Sequence, residues 1–237
     1  MKNSPYSPIA TALGKAAIVT LSLFLAASAA RASAVTFNLE DQAATSAGGV
    51  SPGALTALVL NNGGLTMSLS RQGGSTFDIV DATSATFPSS FGTRALDPFS
   101  DTSSSAFVAN FSSSLSGFSL EFGDFDGDRD KLTLSAFSGL NGTGTLLGTV
   151  TVNWNGDFGM GDAAKVASLS GLSGIQSVVF IGGSKNAFPN SVFYDNFIAT
   201  LDMTTVPEGG SSVLLLGFGL AGLLFTGRLL FRHIVPA

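Results

Sequence analysis

Residues 118–137 read Phe118-Ser119-Leu120-Glu121-Phe122-Gly123-Asp124-Phe125-Asp126-Gly127-Asp128-Arg129-Asp130-Lys131-Leu132-Thr133-Leu134-Ser135-Ala136-Phe137. Two runs alternate apolar and polar residues with a period of two, and a turn rich in Asp and Gly separates them. That pattern predicts two half-buried strands joined by a loop, not a helix. The same alternation recurs on both sides. Leu65, Met67 and Leu69 alternate with Thr66, Ser68 and Ser70, and Leu146, Gly148, Val150, Val152 and Trp154 repeat it further on. Residues 175–181 form a nearly continuous apolar run of buried type, and residues 192–201 close the series. Turns are expected at Asn61-Asn62-Gly63-Gly64, Gly73-Gly74, Asn141-Gly142 and Gly182-Gly183. No amphipathic helix stands out between residues 35 and 205. Nine or ten strands at this spacing predict an all-β domain over 35–205, an antiparallel β-sandwich of jelly-roll-like winding.

The loop inside the opening stretch is the most pointed chemical feature. Asp124, Asp126, Asp128 and Asp130 place four carboxylates at alternate positions. Hard cations take several oxygen ligands, so an Asp-rich loop is a candidate calcium site. It is not an EF-hand: Gly127 stands fourth instead of sixth, and Ser135 occupies the position of the closing Glu. The alternative is a solvated hairpin turn in which Gly127 supplies a positive φ and Arg129 and Lys131 offset the charge.

Charge bounds the partners. Residues 35–205 hold six Lys/Arg against fifteen Asp/Glu, a net −9, within a chain of −5 overall. A domain that acidic repels phosphate backbones, which argues against a nucleic-acid partner. The chain has no cysteine, which removes disulfides, thiolate metal sites and thiol nucleophiles. Its single histidine, His233, lies near the C-terminus, so the domain has none for a Ser-His-Asp triad or a His-ligated metal. No G-x-S-x-G occurs. Carboxylates for glycoside hydrolysis exist, but an Asp-rich loop is no evidence for a catalytic pair. The expectation is a protein without enzymatic activity, with a secreted glycoside hydrolase as a remote alternative.

The ends read as targeting segments. Residues 1–34 have the form of a signal peptide: Lys2 and Lys15, an apolar stretch from Ala16 to Ala30, then Ala32-Ser33-Ala34, which fits an A-x-A cleavage pattern before Val35. An earlier cut after Ala29 or Ala30 is the alternative. At the other end, Val206-Pro207-Glu208-Gly209-Gly210 precedes small polar residues and an apolar run, followed by Arg228 and Arg232. A helix over 211–227 would be about 25 Å long at roughly 1.5 Å per residue. Extension to residue 231 approaches the ~30 Å of a bilayer core. Basic residues behind the span favour leaving that end in the cytoplasm and the domain outside. Gly217-Phe218-Gly219-Leu220-Ala221-Gly222 matches G-x-G-x-x-G, but no strand precedes it, so the dinucleotide reading fails.

The order Val-Pro-Glu, small polar residues, Gly- and Leu-rich span, then Arg resembles the PEP-CTERM sorting signal of Gram-negative bacteria, in a form similar to its VPDSG-type variant. The resemblance covers about residues 205–233, from which a sorting signal over 206–237 is expected, and the closing Arg cluster is spread over Arg228 and Arg232. It implies that an exosortase, a membrane-embedded cysteine transpeptidase, cleaves near Pro207-Glu208. It further implies transient residence in the inner membrane, then the cell surface or extracellular matrix of an exopolysaccharide-producing bacterium.

A second, shorter resemblance joins the ends of the domain. Phe37-Asn38-Leu39-Glu40-Asp41 and Phe193-Tyr194-Asp195-Asn196-Phe197 look like the first and last strands of jelly-roll carbohydrate-binding modules. In those, an acidic residue after the first strand and one in the last help to hold a structural Ca2+. The resemblance implies Glu40 and Asp195 as ligands; the alternative is that Asp195-Asn196 satisfies local backbone groups. The leading expectation is thus a non-enzymatic surface or matrix protein, with a carbohydrate-binding module acting on exopolysaccharide as the second. Trp154 is the only Trp and Tyr194 the only Tyr of the domain, a scarcity that weighs against a sugar platform.

Overall fold

The computed structural model describes residues 33–45, 54–84, 86–98, 104–184 and 188–202. Eleven strands are present among them: β1 Ala34–Phe37, β2 Ala57–Asn62, β3 Leu65–Arg71, β4 Asp78–Asp81, β5 Arg94–Asp97, β6 Phe107–Gly123, β7 Asp130–Phe137, β8 Leu146–Trp154, β9 Lys165–Leu169, β10 Ile175–Ser184 and β11 Phe193–Leu201. Every pairing is antiparallel. The all-β expectation holds, and no described helix is long and apolar enough to cross a membrane. Of the expected signal segment 1–34, Ser33 is described and Ala34 opens β1, whereas residues 1–32, with Ala32, lie outside the described residues. So do Val206, Pro207, Glu208, Gly209, Gly210, Arg228, Arg232 and the span expected at 211–231.

The 17-residue β6 organises the fold. At about 3.3 Å per residue it is far longer than one layer needs. Its first half pairs with β3 and β10, and its second half with β11 and β9. One arm therefore runs β2-β3-β6-β10-β7-β8. The other runs β4-β5-β11-β6-β9, with β1 beside β11 on the edge that β5 also uses. Gly117 lies where the partners change. A Cβ there would stand 3.0 Å from the Leu169 carbonyl, so the close backbone approach favours glycine.

The arms face one another across a phenylalanine core. Phe180 of β10 lies 5.0 Å from Tyr194 and 6.0 Å from Phe197 of β11, and Phe107 of β6 stacks on Phe180 at 5.3 Å. Each buried ring contributes about 1.5–3 kcal/mol by leaving water. β3 shows the period-two code directly: Leu65, Met67 and Leu69 are buried, while Thr66, Ser68 and Ser70 are half-buried. β8, at a sheet edge, buries only Trp154 fully, and Leu146 is exposed.

Two local expectations are corrected. Gly182-Gly183 is not a turn but part of β10. A Cβ at Gly182 would stand 2.8 Å from Val192, and one at Gly183 would stand 2.7 Å from the amides of Asn190 and Ser191. These glycines let the returning chain pass over the strand. Asp130 belongs to β7 and not to the preceding loop, which changes its environment.

Arg71, at the end of β3, is buried and was not singled out by the sequence. Its guanidinium donates to the carbonyls of Ser105, Thr76 and Pro98, and lies 5.4 Å from the centre of the Phe107 ring. One cation thereby satisfies three loop carbonyls.

Candidate functional site

Two acidic clusters lie toward the end of the β6–β11 pair where Gly123 faces Phe193. The first and last described residues meet at the other end, where the Ser33 carbonyl accepts a hydrogen bond from the Leu201 amide. Eight residues of β11 separate the two ends, about 27 Å at the rise of a strand.

The first cluster is the β6–β7 loop. Its aspartates are not equally placed. Asp126, Gly127 and Arg129 are exposed, Asp124 and Asp128 are half-buried, and Asp130 is only 1% exposed. Asp130 shares the core-facing side of β7 with Leu132 and Leu134. Asp124, Asp128 and Asp130 each bring an oxygen within 4.8 Å of the others; Asp126 stands outside this group. Both carboxylate oxygens of Asp130, and Oδ1 of Asp128, are buried without a hydrogen-bond partner. Neither Arg129 nor Lys131 forms an ion pair with them; an ion pair elsewhere joins Arg94 to Asp81.

Electrostatics follow from that crowding. Burial, with the charges of Asp124, Asp128 and Asp126, pushes Asp130 up to about 7. Burial also pushes Asp124 up to about 6, against the pull of the Phe125 and Asp126 amides.

The loop is held from below. Phe125 inserts among Phe87, Phe158 and Phe193, with ring centres 4.7, 5.5 and 5.7 Å away. The Phe158 amide donates to the Asp124 carbonyl at 2.8 Å, tying the loop to the β8–β9 connection. Asp157 caps a short turn there through Oδ1, and its Oδ2 lies 4.0 Å from where a Cβ of Gly127 would stand.

The second cluster lies on the outer side of the other arm. Glu40 and Asp195 lie within electrostatic reach of one another, and Glu121 pairs directly with Asp195 between β6 and β11. Asp195 is 1% exposed and neither of its oxygens is hydrogen-bonded. Burial, then the Glu40 and Glu121 charges, raise it to about 8; the Asn196 and Leu39 amides lie near enough to temper the rise but not in hydrogen-bonding geometry.

Glu40 itself is satisfied: Thr93 donates to it through its amide and hydroxyl at 2.9 and 2.6 Å. Burial would raise its pKa, but these bonds, with the Arg94 amide and charge, hold it below the ordinary value. Asn196 adopts φ +49° at an irregularity in the ladder and donates to Glu121 and to the Ser90 carbonyl.

Trp154 is 7% exposed and Tyr194 is fully buried, so neither offers a face to a sugar ring.

No protein-family model matches the chain, and no characterised protein matches it in sequence. Among solved structures, the K2 cleaved adhesin domain of Lys-gingipain (Kgp) is similar over 71% of this chain and 100% of that one, at 10% identity and a TM-score of 0.42.

Proposed function

We propose that this chain is an exported, non-enzymatic surface or matrix protein whose β domain is set free outside the inner membrane when an exosortase reads its tail. In this reading residues 1–34 are removed as a signal peptide, and residues 211–231 hold the chain transiently in the membrane. The winding is jelly-roll-like, with the first strand beside the last.

One structural observation supports the reading. Ser33 and Leu201 are hydrogen-bonded to each other, so both membrane-directed segments leave the domain from one point. The domain can therefore finish folding while both ends are still held at a single membrane surface. It then stands with its acidic end roughly 27 Å from that point.

Replacing Pro207 and Glu208 together by Ala tests the sorting step. The expected result is a chain of unprocessed size retained in the membrane fraction. Normal trimming and release of that variant overturns the exosortase reading.

A further inference from the structure

We propose that Asp124, Asp128 and Asp130 together ligate one Ca2+ ion, which fixes the β6–β7 loop against the end of the sandwich. The proposal stands apart from how the chain is sorted. Acidic loops are common on protein surfaces, and charge alone would not justify a site. The decisive residue is Asp130. A solvated turn keeps its carboxylates in water, whereas Asp130 starts a strand, faces the core side and is 1% exposed, with both oxygens unpartnered. An ionised carboxylate buried without donors is costly. A second buried and unpartnered oxygen, on Asp128, points to the same need.

The donor set selects the ion. It consists of oxygens only, so soft and nitrogen-preferring metals are poorly served. Ca2+ binds oxygens at roughly 2.3–2.6 Å, so two ligands of one ion stand up to about 5 Å apart. The three aspartate oxygens lie within 4.8 Å of one another. Ca2+ also accepts six to eight ligands in irregular geometry, which a loop can complete with carbonyls and water; Mg2+ demands a tighter octahedron. The loop is already positioned, because Phe125 and the Phe158–Asp124 backbone bond hold it.

The chain carries its own reporter. Trp154, its only tryptophan, is the direct cross-strand partner of Asp130. Terbium, which substitutes for calcium, should show emission sensitised by this indole. The test uses the full-length chain in detergent micelles in metal-free buffer, with Tb3+, Ca2+ and Mg2+ as probes.

The expected results are terbium emission excited through tryptophan, its displacement by Ca2+ well before Mg2+, and a Ca2+-dependent rise in Tm. Asp130→Asn should weaken binding by at least about tenfold. In chelator it should melt no lower than the parent, since a buried negative charge is gone. Asp128→Asn, at a half-buried position, should weaken binding without a folding defect. Trp154→Phe should lose the emission yet keep the Ca2+-dependent Tm. Asp195→Asn should keep both responses. Absence of sensitised emission, a response unchanged in both Asp130→Asn and Asp128→Asn, or one that disappears only with Asp195→Asn overturns the assignment.

Discussion

The Ser33 carbonyl and the Leu201 amide are hydrogen-bonded at 2.9 Å, and Ala34 pairs with Thr200 immediately beside them. The first strand thus begins one residue before Val35. A cut after Ala34 removes both features and leaves the Leu201 amide to water. A mature chain beginning at Val35 should be less stable than one beginning at Ser33 by about 1 kcal/mol, the net worth of one such bond. Urea midpoints of the two forms measure the difference, and identical midpoints would show that the bond contributes nothing.

Asp195 predicts a pH dependence. Its carboxyl rises from an ordinary 3.8 to about 8 on folding, chiefly through burial. The folded chain therefore holds this proton across that window while the unfolded chain has released it. By linkage, its contribution to stability is present at low pH and is lost as the pH climbs from about 4 to 8. Asp124 and Asp130 act in the same direction but finish earlier, near 6 and 7. In chelator, Asp195→Asn should flatten the decline in Tm, most clearly between pH 7 and 8. A decline as steep as that of the parent would contradict the assignment.

Gly123 ends β6 directly under two rings. A Cβ there would fall on the Phe158 ring and 2.9 Å from Trp154 Cη2. Gly123→Ala should cost about 1–3 kcal/mol through overpacking. Combining it with Phe158→Leu should cost less than the sum of the two single changes, because the smaller side chain gives room to the new methyl. Thermal melts of the four chains give the coupling, and strict additivity would argue that the contact relaxes without cost.

Arg71 should be among the least replaceable polar residues. Arg71→Met keeps much of the apolar stem but strips the donors from the carbonyls of Ser105, Thr76 and Pro98. The expected loss is about 3 kcal/mol, the scale of charge-assisted bonds replaced by buried unsatisfied acceptors. A denaturation midpoint within error of the parent would show that water replaces the guanidinium without penalty.

Much of the sheet was legible because alternation is a local property. β3, β7 and the end of β6 follow from which neighbouring residues are apolar. β6 as a whole was not: its middle, Ser112-Ser113-Ser114-Leu115-Ser116-Gly117, reads like a loop. It is strand because partners from both arms hold it. Gly182-Gly183 reads like a turn for the same reason, since a sequence gives no sign of the chain segment that will cross above it.

The acidic loop shows the same division. Sequence alone determined that four aspartates alternate between two strands, and that the domain has neither cysteine nor histidine to work with. Tertiary structure decided which carboxylates are buried. Asp126 remains in water, while Asp130 is turned to the core side by the pleat of β7. Glu121 joined Asp195 only through the β6–β11 register. The physical reason is that burial and the absence of donors are properties of space: they depend on what a distant segment brings alongside, and an alternating pattern fixes only which way a side chain points once its strand has found a partner.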